Sequence, residues 1–207
     1  MKLSLLMLAL CITLKGCSQS NKESIKVGDG CEGCAAVYES PVSFDQLNYV
    51  DTLPDFFEAG PKMEISGVIY NMDGKPAKDV VLFIYHTDQK GLYSKKGDEK
   101  GWAKRQGYIR GWMKTNEKGE YKFYTLRPAS YPNSNNPQHI HPTIKEPGKS
   151  EYWIDEFLFD DDPFLTAGQR KHNQQRGGDG VITLKKDNEM LIGKRNIYLG
   201  KNVPNYK

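Results

Sequence analysis

Short apolar segments separated by turn residues limit how this chain folds more than any other feature. Residues 63–70 and 80–85 are rich in β-branched and aromatic side chains, the composition of strands. Asp73-Gly74 lies between the two segments, and this dipeptide supports the positive φ of a tight turn. The region therefore predicts two strands joined by a turn.

The same pattern continues toward the carboxyl end. Residues 116–119 form a second turn signal, followed by alternating Tyr121, Phe123 and Thr125. Further strands are expected over 138–144, 153–159, 181–184 and 196–199. The polar, glycine-rich residues 169–180 are expected to form a surface loop. With 20 Gly, 11 Pro and 12 Tyr and no long amphipathic helix, the sequence predicts an all-β fold, an antiparallel β-sandwich over residues 63–207.

The amino-terminal residues predict export. Lys2 precedes an apolar run over residues 3–14, which is as long as a signal-peptide core and too short to span a bilayer. Gly16-Cys17 after that run resembles a lipoprotein signal-peptidase site, although Lys15 is unusual there. We expect a signal peptide over 1–16, lipidation of Cys17 and a tether over 17–30. An ordinary secreted protein cleaved nearby is the alternative.

Localisation and partners follow from this interpretation. The protein is expected to be exported and lipid-anchored to the bacterial cell envelope through Cys17. The formal net charge of +3 falls by two when residues 1–16 are removed, and no basic cluster predicts a nucleic-acid partner.

An irregular segment over 31–62 is expected to pack on the sandwich. Within it, Cys31 and Cys34 fit a structural disulfide or plain thiols, since a zinc site needs further ligands and a redox pair usually needs a βαβ context.

A histidine pair is the first candidate for chemistry. His139 and His141 lie two residues apart in an expected strand, so both side chains point to one face. Their starting points are roughly 6–7 Å apart, from a strand rise of ~3.3 Å per residue. Both imidazoles can therefore reach one metal ion, although two surface histidines would give the same spacing.

Three separated segments resemble one enzyme family. They are Gly91-Leu92-Tyr93-Ser94, Ser130-Tyr131-Pro132 and Pro137-Gln138-His139-Ile140-His141. In the intradiol catechol and protocatechuate dioxygenases, a Gly-x-Tyr-Ser/Arg segment follows a strand. A Pro-Gly-x-Tyr-Pro turn and an Arg-Pro-x-His-x-His strand come later. The resemblance covers about residues 63–200.

The resemblance implies a ligand set and a reaction. Fe(III) would be held by Tyr93, Tyr131, His139 and His141, and phenolate oxygen suits this hard cation. The substrates would be dioxygen and a catechol-like molecule. The ring would open between its two hydroxyl-bearing carbons to a muconate-type dicarboxylate. Tyr131 would be the catalytic ligand that swings away, while Tyr93 stays bound.

The chain departs from the family at two site positions. Asn136 stands where the family has the arginine thought to stabilise charge on the substrate ring, so that stabilisation is weaker here. Asn136 is therefore expected at the catalytic site without supplying charge, and Arg110 or Arg127 either compensates or forms an ion pair elsewhere. Glu156 stands where relatives often have glutamine. It disfavours a carboxylate-bearing substrate if it faces the pocket, and otherwise it faces solvent. The helical linker domain of catechol-type relatives is also missing, which leaves dimerisation open.

The remaining candidates have structural interpretations. Trp102, Tyr108 and Trp112 either line an aromatic-accepting mouth or anchor the core, and His86 and His172 are expected not to be ligands. Two alternatives to the enzyme stay open. One is a non-catalytic, transthyretin-like sandwich lipoprotein, and the other is an iron- and catechol-binding protein without activity.

Overall fold

The computed structural model describes residues 24–207, except for the side chain of His172. The expected signal peptide, Cys17 and the first part of the expected tether lie outside the described residues. Among residues 24–207, no helix has the length and apolar character needed to cross a membrane.

Two six-stranded sheets form the body of the described region. The first sheet contains β1 (Val50–Thr52), β2 (Lys62–Tyr70), β5 (Glu120–Leu126), β10 (Lys185–Asp187), β11 (Met190–Lys194) and β12 (Ile197–Tyr198). The second contains β3 (Val81–Tyr85), β4 (Arg110–Lys114), β6 (His139–Lys145), β7 (Tyr152–Trp153), β8 (Phe157–Phe159) and β9 (Val181–Ile182). The helices are short: α1 (Ala103–Gln106), α2 (Ala167–His172) and two 3-10 turns, Cys34–Glu39 and Phe44–Gln46.

The topology confirms the expected all-β sandwich. The strand order is β1-β5-β2-β11-β10 in the first sheet, where β12 also pairs with β2. It is β4-β3-β6-β8-β9 in the second sheet, where β7 also pairs with β6. The β2/β5, β3/β4, β3/β6 and β10/β11 pairs are antiparallel, whereas the β1/β5, β8/β9, β2/β11 and β2/β12 pairs are parallel. The expected strand over 153–159 is divided into β7 and β8.

The expected surface loop over 169–180 is partly wrong, because α2 occupies its beginning. Thr166 caps that helix: its hydroxyl accepts from the Gln169 N–H at 3.3 Å, and the Gln169 side chain accepts from the Thr166 N–H at 2.8 Å. This capping box is visible in the sequence as Thr-x-x-Gln. The glycine-rich residues around it favour a loop, and for that reason the helix was not predicted.

Strand β6 separates the two faces of the second sheet. Ile140 and Ile144 point inward and belong, with Leu82 and Ile84 of β3, to the large apolar core between the sheets. His139, His141 and Thr143 point to the opposite face because side chains alternate along a strand. Both faces are covered, so the histidines lie inside the molecule and not on an open sheet.

The segment before β2 covers that second face. Ala36 and Val37 of the first 3-10 turn pack against Val81, Phe83 and Trp112. Cys31 and Cys34 form a disulfide at the start of that turn, with Cα atoms 5.6 Å apart, so the disulfide is the alternative that the structure adopts.

Residues 24–30 differ from the free tether expected over 17–30. The Ile25 N–H donates to the Gly148 carbonyl at 2.8 Å, and the Gly28 N–H donates to the Pro204 carbonyl at 2.8 Å. Val27 is buried between these contacts. These residues are bound to the sandwich because their backbone groups and one apolar side chain find partners there.

Candidate metal centre

The four expected ligands converge at one point. Tyr93 Oη lies 2.5 Å from Tyr131 Oη and 2.8 Å from His141 Nε2. Tyr131 Oη lies 2.9 Å from His139 Nε2 and 3.3 Å from His141 Nε2. The two histidine Nε2 atoms are 3.1 Å apart. Atoms from three distant parts of the chain therefore form one cluster.

Outer contacts orient both imidazoles. His139 Nδ1 lies 2.6 Å from the Pro137 carbonyl oxygen, and His141 Nδ1 lies 3.1 Å from Glu156 Oε1. Carbonyl and carboxylate oxygens only accept, so both Nδ1 atoms hold the proton. Both Nε2 atoms then present a lone pair to the tyrosine hydroxyls, which is the arrangement that second-shell partners give metal-binding histidines.

The loop after β3 positions Tyr93. The Asp88 carboxylate accepts from the Lys90 and Leu92 N–H groups at 2.7 and 3.0 Å and from the Ser94 hydroxyl. Gly91 has a φ of 74°, and a Cβ at this position would lie 2.0 Å from the Ser130 carbonyl oxygen. Only glycine permits this approach, which brings the Tyr93 loop against the loop of Tyr131.

Further bonds join the two tyrosine loops. The Thr87 hydroxyl donates to the Ala129 carbonyl at 2.7 Å, and the Ala129 N–H donates to the Asp88 carbonyl at 3.2 Å. These links fix the Tyr131 loop at its start. Past Tyr131, residues 132–138 are exposed or half-buried, and they are tied to the fold near β6, where the Gln138 N–H donates to Asp162 Oδ2 at 2.5 Å.

Tyr85 is a functional neighbour that sequence reasoning missed. In the β3/β6 register it lies opposite His141, and the two rings stack with centroids 4.5 Å apart at 20°. Its ring also contacts that of Tyr93 at 5.8 Å. Burial raises the pKa of Tyr85 to about 12, so it stays neutral and supports the cluster by packing. The register between β3 and β6 places Tyr85 beside His141, and a register between distant strands is not visible in the local sequence.

The donor set fits a trivalent metal ion. Donor atoms bound to one ion at ~2.0–2.1 Å lie about 3 Å apart, close to the five separations measured here. Burial raises the pKa of Tyr93 and of Tyr131, so neither phenolate forms at neutral pH without a nearby cation. A trivalent ion supplies that charge, and phenolate oxygen is the kind of hard donor it prefers. His139, His141 and Glu156 also form a group with possible ligand atoms within 4.8 Å, but the Glu156 oxygen meets Nδ1, away from the tyrosines.

Arg110 and Arg127, the two arginines that could compensate for Asn136, both form ion pairs with other residues. Arg127 forms a two-bond ion pair with Asp161 at 2.7 and 2.8 Å and donates to Gln138 at 2.6 Å. Arg110 pairs with Glu39 at 2.6 Å. Asn136 is exposed in the loop before β6, where its N–H donates to the Ser134 hydroxyl at 3.0 Å. Neither arginine is free to compensate for Asn136.

A cavity of about 470 Å³ opens beside His141. Tyr85 and Glu156 line the end next to the metal centre, and the Cys31–Cys34 disulfide and Trp153 line the wall beyond it. Leu165, Gln169 and Asn173, in and next to α2, also line the cavity. The cavity is large enough for a substituted single ring, since pockets for small molecules begin at roughly 300 Å³.

The remaining aromatic and histidine candidates have other roles. Trp112 donates its indole N–H to the Val37 carbonyl at 2.9 Å, and Trp102 packs in the same apolar cluster. Tyr108 donates to Glu58 at 2.9 Å. His86 Nδ1 and Nε2 each lie 2.7 Å from a partner oxygen, as expected of a non-ligand. None of these four is among the described residues that line the cavity, and the side chain of His172 is outside the described set.

Known proteins share sequence with this chain. The sequence profile of a family described as Dioxygenase matches residues 38–177. Catechol 1,2-dioxygenase 1 from Acinetobacter lwoffii is 32% identical over 87 residues, which are 42% of this chain and 27% of that protein. This chain thus matches about a quarter of the length of that curated relative.

Solved structures share the fold. The dioxygenase domain of a carbohydrate-binding fusion from Streptomyces sp. SirexAA-E superposes with a TM-score of 0.55 at 18% identity, covering 77% of this chain and 90% of that one. An intradiol ring-cleavage dioxygenase from Tetranychus urticae gives 0.53 at 22% identity, covering 84% and 94%. Catechol 1,2-dioxygenase from Acinetobacter sp. ADP1 gives 0.54 at 20% identity, covering 73% and 57%. These likenesses establish a common sandwich architecture.

Proposed function

The chain belongs to the intradiol ring-cleavage dioxygenase family, and from that premise we propose that it is a ferric dioxygenase acting on a catechol-type ring. The reaction would open the ring between its two hydroxyl-bearing carbons and give a muconate-type dicarboxylate. The main support is the convergence of Tyr93, Tyr131, His139 and His141, whose donor atoms meet within 2.5–3.3 Å in the contacts given above.

Fe(III) is the proposed cofactor, and those four side chains are its proposed ligands. When bound there, the ion would activate the catecholate toward dioxygen. Proton placement on the histidines supports this assignment, because Pro137 and Glu156 hold the Nδ1 protons and leave both Nε2 atoms unprotonated. A plain structural sandwich has no need of two phenols and two lone pairs aimed at one point.

Tyr131 is the proposed leaving ligand. Its Oη would take one of the two catechol protons as it moves aside, so that the negative charge it gives up reappears on the substrate and the net charge of the pocket does not change. The next two residues, Pro132 and Asn133, are exposed, which supports movement of this loop. Tyr93 stays in place in this scheme, since Asp88 and the close approach at Gly91 hold its loop from both sides.

Asn136 gives one alternative a specific basis. With Arg127 and Arg110 both engaged in ion pairs, neither of these two arginines replaces the family arginine, and the electrostatic contribution to the transition state would be smaller. An iron- and catechol-binding protein with little turnover is therefore the second candidate. Asn136→Arg should raise the turnover of a slow enzyme.

Reconstitution with iron tests the proposal. The protein is loaded with Fe(III), and its absorption, oxygen consumption and products are followed with unsubstituted catechol. We expect a red protein from phenolate-to-iron charge transfer, uptake of one dioxygen per catechol and a dicarboxylate product. A colourless, iron-free protein would favour the structural sandwich. A red protein whose colour responds to catechol without oxygen uptake would favour the binding-only alternative.

Export and lipidation are a separate proposal. The apolar run over 3–14 followed by Gly16-Cys17 supports a lipidated envelope protein. Metabolic labelling with a fatty acid should label the wild-type chain and not Cys17→Ser. Labelling of both chains, or of neither, would contradict lipidation at this cysteine.

A further inference from the structure

The charged side chains that line the cavity are acidic. Its acidic lining residues are Glu32, Asp155 and Glu156, and no lysine or arginine is among the lining residues that the structure describes. A cavity walled by carboxylates and low-polarity groups attracts cations and repels anions, because the opposite charges that would cancel the field are absent. The three carboxylates differ in how far they are already neutralised, and that difference decides which one matters.

Glu32 and Asp155 are both less available than Glu156 to a molecule in the cavity. Glu32 forms an ion pair with Arg105 at the outer surface. The Asp155 carboxyl is buried, with its Oδ2 inaccessible to solvent, and burial raises its pKa, which weakens its negative charge, while Arg195 and Arg176 act in the opposite direction. Neither carboxylate therefore presents a full negative charge to a molecule in the cavity.

Glu156 is different. Its one ion-pair contact among the described residues is His141 Nδ1 at 3.1 Å, which is a neutral imidazole in the arrangement that leaves Nε2 free for a metal. About two fifths of its side chain, 43%, stays accessible. The carboxylate therefore lies between the metal centre and the open cavity with its charge uncancelled.

From this geometry we propose that the cavity selects catechols whose ring substituent carries a protonated amine over those that carry a carboxylate, with Glu156 as the specificity-determining residue. The inference rests on the proposed function, because the catechol oxygens are taken to bind at the metal centre next to His141. An ammonium group on a short chain then lies on the Glu156 side of the cavity. A carboxylate in the same place meets an uncancelled like charge and loses its hydration, so it is rejected.

Neutral ring substituents give the reference point. Trp153, Ile154 and Leu158 also line the cavity, so a short alkyl chain finds apolar contacts there whatever its terminal group. Three catechols with the same two-carbon reach separate the charge effect from the packing effect. They are 4-(2-aminoethyl)catechol, 4-ethylcatechol and 3,4-dihydroxyphenylacetate.

Anaerobic titration of the ferric protein measures selection without turnover. The colour change on binding gives a Kd for each of the three catechols at low salt, and calorimetry with the metal-free protein gives a second reading at millimolar concentrations. We expect the amine to bind about tenfold more tightly than the carboxylate, with the ethyl compound between them. Raising the salt concentration should compress that ratio, since the charges are partly exposed.

Glu156→Gln tests the named residue. It removes the charge, keeps the shape, and should bring the amine-to-carboxylate ratio to within about twofold of one. Any general effect of this substitution on the metal centre changes all three Kd values and cancels in the ratio. Glu189→Gln is the matched control, because Glu189 is an exposed acid in the turn between β10 and β11 on the other sheet. It should leave the ratio unchanged.

The outcomes separate the two proposals. Equal affinities for the three catechols, tighter binding of the carboxylate, or a ratio unchanged by Glu156→Gln would overturn the selectivity and leave the dioxygenase proposal intact. Failure of all three catechols, and of catechol itself, to bind the iron-loaded protein would overturn both.

Discussion

Two buried polar clusters lie side by side at the end of β3, and both contain histidine. Tyr85, the last residue of the strand, packs on His141 of the metal centre. His86, the next residue, points the other way, where Nε2 lies 2.7 Å from Thr125 Oγ1. That hydroxyl lies 2.9 Å from Asp55 Oδ1. Adjacent residues thus supply a ring to the candidate metal centre and an imidazole to a closed structural network.

The difference lies in where the lone pairs point. In the His86 network the polar atoms meet complementary partners, since the Thr125 hydroxyl donates to Asp55 Oδ1 at 2.9 Å and the Leu126 N–H donates to Asp55 Oδ2 at 3.2 Å. Burial raises the pKa of Asp55 and lowers that of His86. In the metal centre two lone pairs and two hydroxyls face one another. Buried histidine alone therefore does not indicate a ligand, whereas convergent lone pairs do.

The largest expected effect is on iron. Tyr93→Phe removes one of the two phenolate donors and should lower Fe(III) affinity by more than about a hundredfold, since even outer-shell partners of metal ligands contribute ~10–100-fold. The phenolate-to-iron absorption should weaken or shift strongly. Iron content and the visible spectrum measure this. Tyr49→Phe, which removes an exposed hydroxyl away from the cluster, is the control, and an unchanged spectrum in Tyr93→Phe would refute its role as a ligand.

Thr125→Val should lower the stability of the protein and leave its iron binding close to that of wild type. The substitution keeps the shape and leaves His86 Nε2 and Asp55 without their shared hydroxyl, which should lower the free energy of unfolding by about 2 kcal/mol. Urea unfolding of the metal-free protein measures this, and iron binding should stay close to that of wild type. Thr52→Val on exposed β1 is the matched control. Loss of iron without loss of stability would mean that the two clusters are not separate.

Glu156→Gln should have an intermediate effect on the metal centre. Its side chain can still accept from His141 Nδ1, but without full charge, so iron affinity should fall by up to about tenfold. Competition with a chelator measures the affinity, and Glu189→Gln should not change it. A hundredfold loss would instead assign Glu156 to the ligand set itself.

The smallest effect is a pH dependence of stability. Because burial raises the folded-state pKa of Asp55 above its unfolded value, its contribution is fully present below the unfolded pKa and is lost as the pH rises through the folded one. Asp55→Asn mimics the protonated acid, so its stability relative to wild type should improve between pH 4 and pH 7. The expected gain is a rise in the free energy of unfolding of Asp55→Asn relative to wild type.

Urea unfolding at several pH values measures this gain. Asp98→Asn, at an exposed position, should give no trend of this kind. A difference between Asp55→Asn and wild type that does not change with pH would show that the Asp55 carboxyl is ionised in the folded protein.

Much of the fold was predictable from local patterns. The alternation over 63–70 and 138–144 and the Asp73-Gly74 turn correspond to β2, β6 and the turn after β2, because side-chain period and turn chemistry are local properties. Strand β4 was missed for a physical reason. Gly111 weakens its strand signal, yet a Cβ there would lie 2.6 Å from Leu53 Cδ1, so a side chain at this position would displace Leu53, a contact that the local sequence does not reveal.

The sequence by itself determined the types of donor atom and the common face of His139 and His141, since a strand places alternate residues on one side. Only the tertiary structure decided that Tyr93 and Tyr131 reach those histidines, that Glu156 faces the cavity and that Arg127 does not. These outcomes depend on contacts between segments far apart in the chain, and local propensities say nothing about which distant loops meet. The spacing of residues along a strand determines which side chains share a face, and tertiary packing determines which other segments those side chains contact.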